Sequence, residues 1–122
     1  MRALLVAAAT ALAVSLVNAP AAAAAPPRPA AAEFDFWFNQ YGYTPKVDLP
    51  AGEHRVIIGA SCNGDSVGAQ LYHVTWGVDR KVGDVFEIPC EGATSAGYQL
   101  SGGEYYLYLL SGVDNTHITG HW

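Results

Sequence analysis

Few side chains in this sequence could carry out catalysis, and they are widely spaced. Glu53 and Glu104 are candidates for the carboxylate pair of a glycosidase, but each follows a glycine at the start of a predicted strand. Because both glutamates occupy the same position, directly after a turn at the start of a strand, a structural role explains them without catalysis. Ser61 lies in Gly-Ala-Ser-Cys, which differs from the Gly-x-Ser-x-Gly sequence of a nucleophile elbow. The sequence therefore predicts a protein that is not an enzyme and needs no cofactor.

The histidines are the next candidates, here for metal binding. His117 and His121 share one face of the last predicted strand. They lie about 13 Å apart at about 3.3 Å per residue. That separation is too large for two ligands of one zinc ion. Only His73, on another strand, could complete a site, and it faces solvent if Val74 and Trp76 face inward. We expect solvated histidines and no metal.

Two loops carry oxygen ligands, Asn63-Gly-Asp65-Ser and Asp114-Asn115-Thr. Calcium binds such side-chain and backbone oxygens. The same residue types also form turns, and the turn interpretation is favoured. Whether either loop binds calcium is left open by the sequence.

The N-terminal residues predict export. Arg2 is followed by an uncharged apolar run over 3–17 and by small residues up to Ala25. This order is typical of a secretory signal peptide, and the run is too short and alanine-rich for a membrane anchor. We predict a signal peptide over 1–24, cleaved after Ala23 or Ala24, an Ala/Pro linker over 25–32 and one domain over 33–122. The protein would be extracellular, and the alanine-rich leader suggests a bacterial source.

Charge and cysteine usage agree with an exported domain. Without Arg2, five Lys and Arg remain against eleven Asp and Glu, a formal charge of −6. Such acidity argues against nucleic acid and anionic membranes as partners. The sequence after the signal has no long apolar run, so we expect no membrane insertion after cleavage. Cys62 and Cys90 are the two cysteines, and in an oxidising compartment they predict a disulfide. A cysteine nucleophile or metal ligand is the alternative.

Hydrophobic periodicity predicts an all-β fold. Phe34, Phe36 and Phe38 alternate with other residues at period two, and glycine and proline recur too often for helices. We predict an antiparallel two-sheet β-sandwich with jelly-roll-like character, although an immunoglobulin-like winding stays open. About eight strands are expected, near 34–40, 46–49, 53–62, 69–77, 84–90, 96–100, 104–112 and 116–122. The residues expected to point inward are Phe34, Phe36, Phe38, Val56, Ile58, Phe86, Ile88, Leu107, Leu109, Ile118 and Trp122. Both cysteines share faces with these residues, so their disulfide could join the two sheets.

Two segments of the predicted domain share a short sequence pattern. Leu-x-x-Gly-Glu occurs at 49–53 and again at 100–104, each time before an alternating strand. This pattern indicates either two similar halves or a coincidence between glycine-rich turns.

The second copy of the match also carries a resemblance. Leu-x-x-Gly-Glu-Tyr-Tyr-Leu-Tyr-Leu at 100–109 resembles the late strand of bacterial pre-peptidase C-terminal modules, and Gln-Leu-Tyr at 70–72 is similar to an earlier strand of theirs. Those modules are small β-sandwiches appended to secreted enzymes. The resemblance implies a non-catalytic, surface-binding or accessory module.

Aromatic side chains suggest what the domain contacts. If Leu107 and Leu109 face inward, then Tyr106 and Tyr108 face outward, as Trp37 does beside the three phenylalanines. Exposed aromatics mark contact surfaces, although tyrosine is also a good strand former. We predict a secreted binding module that holds carbohydrate or cell-surface material through Tyr106, Tyr108 and Trp37. The alternative is a secreted inhibitor or antagonist of a foreign protein, with a protruding loop over 91–97.

Overall fold

The computed structural model describes residues 32–122, which form nine β-strands and no helix. No helix in this range is therefore long and apolar enough to cross a membrane. The predicted signal peptide and all of the linker except Ala32 lie outside the described residues. The strands are β1 (Glu33–Phe38), β2 (Tyr41–Tyr43), β3 (Val47–Leu49), β4 (Gly52–Ser61), β5 (Ser66–His73), β6 (Arg80–Pro89), β7 (Gly92–Leu100), β8 (Gly103–Leu110) and β9 (Thr116–His121).

The strands form two antiparallel sheets. Sheet I has the order β1-β9-β4-β7, and sheet II has the order β2-β8-β5-β6, with β3 also paired to β8. One more strand is found than expected, because β2 and β3 pair with β8 separately. With β2 and β3 counted as one interrupted strand, this is the strand order of a jelly roll. The sandwich prediction is confirmed, and the immunoglobulin-like winding is excluded.

The core lies between the sheets and follows the predicted alternation. Val56, Ile58, Ile88, Leu107 and Leu109 have no exposed surface. The other residues expected to point inward are also buried or half-buried against this core, namely Phe34, Phe36, Phe38, Phe86, Ile118 and Trp122. The period-two pattern identified these residues because a strand with one covered face places every second side chain in the core.

The prediction for residues 73–76 is wrong. Strand β5 ends at His73, so residues 74–79 form a loop, and Trp76 in that loop is exposed rather than inward. His73 follows Leu71 on the inner face and stacks on Tyr105 with ring centroids 4.4 Å apart. The apolar residues Val74 and Trp76 suggested the opposite parity, but they lie beyond the strand.

The predicted protruding loop at 91–97 is also wrong. Residues 92–100 form β7, which pairs with β4 from Gly52↔Leu100 to Ala60↔Gly92. Glycine, alanine and serine dominate this segment, and such small residues resemble a loop in sequence. Backbone pairing along the edge of sheet I forms the strand without large side chains.

The predicted disulfide is confirmed. Cys62 follows β4 of sheet I and Cys90 follows β6 of sheet II, and their Cα atoms lie 5.1 Å apart. The bond therefore joins the two sheets at one end of the sandwich. Glu91 supports this end, because its carboxylate accepts hydrogen bonds from the Ser61 hydroxyl (2.9 Å) and from the Cys62 amide (3.0 Å).

The internal sequence match lies on equivalent positions of the fold. Gly52 and Gly103 begin β4 and β8 with φ values of 129° and 136°. Strand β4 lies between β9 and β7 in sheet I, and β8 lies between β5 and the β2/β3 pair in sheet II. Exchanging β4 with β8, β9 with β5, β7 with β3 and β1 with β6 converts one sheet order into the other. The origin of this symmetry by duplication stays a prediction.

The two ends of the described domain are adjacent. Strand β1 pairs with β9, with Glu33 opposite His121. Beyond the strands, the Trp122 amide donates a hydrogen bond of 2.9 Å to the carbonyl of Ala32. Both ends therefore leave the sandwich side by side, from sheet I.

Candidate functional site: an outer tyrosine face

Strand β8 lies inside sheet II and presents tyrosines to the outside. Tyr105, Leu107 and Leu109 fill the core, so Tyr106 and Tyr108 occupy the outer face. The neighbouring strands β2 and β5 add three more rings in register with them. We call this cluster the tyrosine face; it consists of Tyr41, Tyr43, Tyr72, Tyr106 and Tyr108.

The rings of the tyrosine face contact one another. Tyr72 stacks on Tyr106 with centroids 5.5 Å apart and planes inclined by 13°. Tyr43 lies 5.2 Å from Tyr108 and 5.8 Å from Tyr106, and Tyr41 lies 6.3 Å from Tyr108. These spacings lie within the range of favourable aromatic pairs. The rings therefore restrict one another before any ligand arrives.

A carboxylate ties the tyrosine face to the neighbouring loop. The Tyr106 hydroxyl donates a 2.8 Å hydrogen bond to Oδ2 of Asp79, and Oδ1 of Asp79 accepts a 3.2 Å bond from the Thr75 amide. The hydrogen bond from Tyr106 is the main reason that the pKa of Asp79 lies below its ordinary value. Burial, and then the bond to Asp79, raises the pKa of Tyr106 to about 12. At neutral pH the pair is thus a neutral phenol and a carboxylate.

Two adjoining hollows lie on the tyrosine face. One encloses about 280 Å³ between Tyr43, Thr44, Lys46, Asp79 and Tyr106. The other encloses about 360 Å³ and shares Tyr43, Asp79 and Tyr106 with the first. Together they form one depression bordered by ring faces, phenol hydroxyls, one carboxylate and one ammonium group. Such a surface can contact apolar ring faces and also hydrogen-bond polar substituents at their edges.

The predicted orientation of Tyr106 and Tyr108 is thus confirmed, whereas the other three rings of the face were not predicted. Tyr41 and Tyr43 are each 56% exposed and lie on a short strand that was not predicted. Their Tyr-Gly-Tyr spacing has period two, but a segment of this length is too short to predict a strand. Tyr72 belongs to the Gln-Leu-Tyr segment of the predicted resemblance, which assigns it no binding role. Its place beside Tyr106 depends on strand register, which single-strand alternation does not give.

The third predicted contact residue, Trp37, lies elsewhere. It belongs to β1 on the outer face of sheet I, so the sandwich separates it from Tyr106 and Tyr108. Trp37 is 64% exposed, and one side of its ring stacks on His117 at 4.4 Å with planes 3° apart. Nε2 of His117 lies 2.6 Å from Oδ1 of Asp35. The three predicted residues therefore do not form one site.

The larger hollow of sheet I has a different chemistry. It encloses about 700 Å³, and Gly59, Ala93 and Thr119 are among its lining residues. Two rings border it, that of Phe34, which is buried in the core, and the imidazole of His121. The size of this hollow reflects the small side chains of the outer face. We therefore place the candidate site on the tyrosine face, although its hollows are smaller.

The predicted metal-ligand candidates do not come together. Within residues 32–122, no group of three or more His, Cys, Asp or Glu side chains is placed to hold a metal ion. In the two oxygen-rich loops, the Asp65 carbonyl accepts a bond from the Cys90 amide (3.1 Å), and the Asn115 amide donates to Oδ1 of Asn39 (2.9 Å). These bonds attach each loop to another segment of the domain.

Comparison with known proteins gives little more. No protein-family model matches the chain, and no curated protein matches it. A solved structure described as "Structure of infectious bursal disease virus Gx strain" matches at 13% identity with a TM-score of 0.39, covering 73% of this chain and 28% of that chain. A similarity this low carries no argument about function. The resemblance to pre-peptidase C-terminal modules stays a prediction.

The tyrosine face offers ring faces for stacking, and phenol hydroxyls, Asp79 and Lys46 for hydrogen bonds. Asp79 is the carboxylate of its two hollows, and it is already hydrogen-bonded to Tyr106 and Thr75. A glycosidase needs a pair of carboxylates on either side of the scissile bond. Glu53 and Glu104, the pair considered from sequence, begin strands of different sheets.

Proposed function

We propose that this protein is a secreted, non-catalytic binding module that holds carbohydrate or cell-surface material on its tyrosine face. The observation that carries the proposal is the convergence of five tyrosines from three strands, with each ring in contact with at least one other. Tyrosine and tryptophan supply large contact areas at low cost in side-chain entropy.

The polar groups around these rings suit a sugar. A pyranose has an apolar C–H face, which stacks on an aromatic ring, and hydroxyl groups at its edge. The phenol hydroxyls, Asp79 and Lys46 border the same depression and provide donors and acceptors for those hydroxyls. Because Tyr106 and Asp79 are already paired, they are held in place for a ligand.

We also propose that the protein is extracellular. A disulfide that joins the two sheets is compatible with an oxidising compartment. The alternative function, a secreted inhibitor or antagonist, relied on a protruding loop at 91–97. Since these residues belong mainly to β7, the structure offers no such loop there.

The proposal predicts that the tyrosine face is required for retention on polysaccharide. Purified protein is incubated with insoluble cellulose, chitin and bacterial cell-wall preparations, and the sedimented fraction is measured over a concentration series. We expect saturable retention on at least one material. The double variant Tyr106→Ala/Tyr108→Ala should lose affinity by about tenfold or more, as expected for truncation of central contact aromatics.

Controls separate lost contact from lost folding. Tyr41→Ala/Tyr43→Ala removes two exposed rings from the edge strand β2 and should also weaken retention, while the thermal midpoint stays close to that of the wild type. Ile57→Ala, an exposed substitution on sheet I, should change neither property. Wild-type protein that is retained on none of the materials would refute the proposal. Retention that depends on Trp37 and not on the tyrosines would move the site to the other sheet.

A further inference from the structure

The loop between β5 and β6 exposes two apolar side chains beside the tyrosine face. Trp76 is 101% exposed and Val78 is 87% exposed. A fully exposed tryptophan covers none of the protein's own core, and tryptophan is the residue type most enriched at binding hot spots. Packing against the core therefore does not account for the position of the Trp76 ring.

The loop is anchored at several points. The Thr75 hydroxyl donates a 2.6 Å hydrogen bond to the Val78 carbonyl, and the Thr75 amide donates to Asp79 at 3.2 Å. The Val74 amide donates to the carbonyl of Glu104 at 2.8 Å. Trp76 thus lies at the apex of a loop that is tied to β8. Little backbone entropy remains to be lost when its ring makes a contact.

The loop is continuous with the proposed site. Val78 and Asp79 line the hollow of about 360 Å³ on the tyrosine face, together with Tyr72, Tyr106 and Tyr108. Trp76 lies two residues before Val78 in the sequence. Trp76 does not line the hollow itself, so a ligand confined to the hollow would leave the Trp76 ring uncovered.

Charges around the loop balance. The bordering segments carry three cations, Lys46, Arg80 and Lys81, and three carboxylates, Asp48, Asp79 and Glu104. Lys46 and Asp79 line the same hollow, whereas Asp48 lies opposite Glu104, and Arg80 and Lys81 lie opposite His73 and Tyr72. A surface with no net charge favours an uncharged partner over an anionic membrane or a strongly charged polymer.

We infer that Trp76 is an outlying stacking platform and that the ligand is an extended, uncharged polysaccharide chain rather than a mono- or disaccharide. This inference rests on the proposed function. The tyrosine face would hold the central sugars, and Trp76 would stack on a sugar further along the same chain. Affinity should therefore grow with the length of the fragment.

The test compares fragments of different length. Cello-oligosaccharides and chito-oligosaccharides, as disaccharides and as hexasaccharides, are titrated into wild-type protein and into Trp76→Ala by calorimetry, alongside sedimentation with cellulose and chitin. We expect the wild type to bind the hexasaccharide of one series about tenfold more tightly than its disaccharide. Trp76→Ala should remove that difference and leave the affinity for the disaccharide unchanged. Ile57→Ala should behave as the wild type.

The other outcomes would refute either the role of Trp76 alone or the proposed function as well. If Trp76→Ala binds the hexasaccharide and the polymer as the wild type does, the role of Trp76 is refuted and the tyrosine face stands. If Trp76→Ala instead abolishes binding to phosphatidylcholine or phosphatidylglycerol vesicles and leaves sugar binding intact, the loop contacts lipid and the inference is refuted. If wild-type protein binds neither fragments nor polymers, the inference and the proposed function both fail.

Discussion

Tyr106 shows how one residue can be both structural and available for binding. Its ring stacks on Tyr72, its hydroxyl donates to Asp79, and its edge borders both hollows. Tyr98 is a useful counterpart, because burial alone raises its pKa to about 12, the same value as for Tyr106. The two phenols thus lose their protons only at high pH, for partly different reasons.

The Tyr106–Asp79 pair predicts a specific alkaline titration. The folded-state pKa of Tyr106 is raised from 10.0 to about 12. The folded state therefore holds this proton more tightly than the unfolded state, and the resulting stability is full below pH 10 and is lost as the pH rises toward 12. Asp79→Asn removes the negative charge and should lower the pKa of Tyr106, but not that of Tyr98. Tyrosinate absorbance measured against pH, with Tyr106→Phe and Tyr98→Phe to assign the two late titrations, checks this.

The burial contribution should survive in Asp79→Asn, so the pKa of Tyr106 should stay above 10.0. An unchanged late titration in this variant would show that Asp79 does not act on Tyr106.

At this scale the sequence predicted side-chain direction well and side-chain neighbours poorly. The outward direction of Tyr106 followed from the inward apolar residues on either side. Nothing in the sequence joins Tyr72 to Tyr106, because that contact depends on the pairing of β5 with β8. His73 was assigned to the wrong face because apolar loop residues beyond β5 were included in the alternation.

At the scale of elements, the two strand-initiating glycines are a natural comparison. Gly52 and Gly103 have similar positive φ values of 129° and 136°, where a side chain is strained. Their surroundings differ. A Cβ at Gly52 would meet nothing within 4 Å, whereas a Cβ at Gly103 would lie 2.5 Å from Nε2 of His73.

We expect Gly103→Ala to destabilise the domain more than Gly52→Ala. Both variants share the cost of the backbone conformation, of order 1–3 kcal/mol. Only Gly103→Ala must also move His73 from its stacking position on Tyr105. Denaturant unfolding of both variants measures the difference. In a His73→Ala background the two substitutions should cost about the same, and a difference that persists there would contradict the steric explanation.

Elements were predicted best where side chains mark them. Phenylalanine alternation predicted β1, and the apolar runs predicted β4 and β8 to within a few residues. Strand β7 was predicted only in its second half, because its first half is composed of small residues that pack little and pair through the backbone. The short β2 was missed because three residues are too few for a periodic signal.

At the scale of the whole molecule, the disulfide links the two sheets at one end of the sandwich. Replacing both Cys62 and Cys90 by alanine should lower the free energy of unfolding by about 3–4 kcal/mol, since the open loop gives the unfolded chain more conformational entropy. The residues are 28 apart in sequence. Urea unfolding of the variant measures the loss. Reduced wild-type protein should show a similar loss, and a change below about 1 kcal/mol in both would refute this estimate.

The sandwich also explains why the site was only partly predicted. Alternation separates inside from outside, but it does not say which sheet a strand joins. Trp37 and Tyr106 are both outward residues, yet they belong to opposite faces of the molecule. To predict that Trp37 and Tyr106 lie apart, the strand order must be known. The strand order depends on contacts between residues far apart in sequence.

The adjacent ends of the domain have a consequence for any attached protein. Ala32 and Trp122 are joined by a hydrogen bond at sheet I, whereas the tyrosine face lies on sheet II. A neighbour fused at either end would thus be tethered at the same corner and on the side away from the rings. Attachment at that corner would leave the outer face of sheet II, with its five tyrosines, open to solvent.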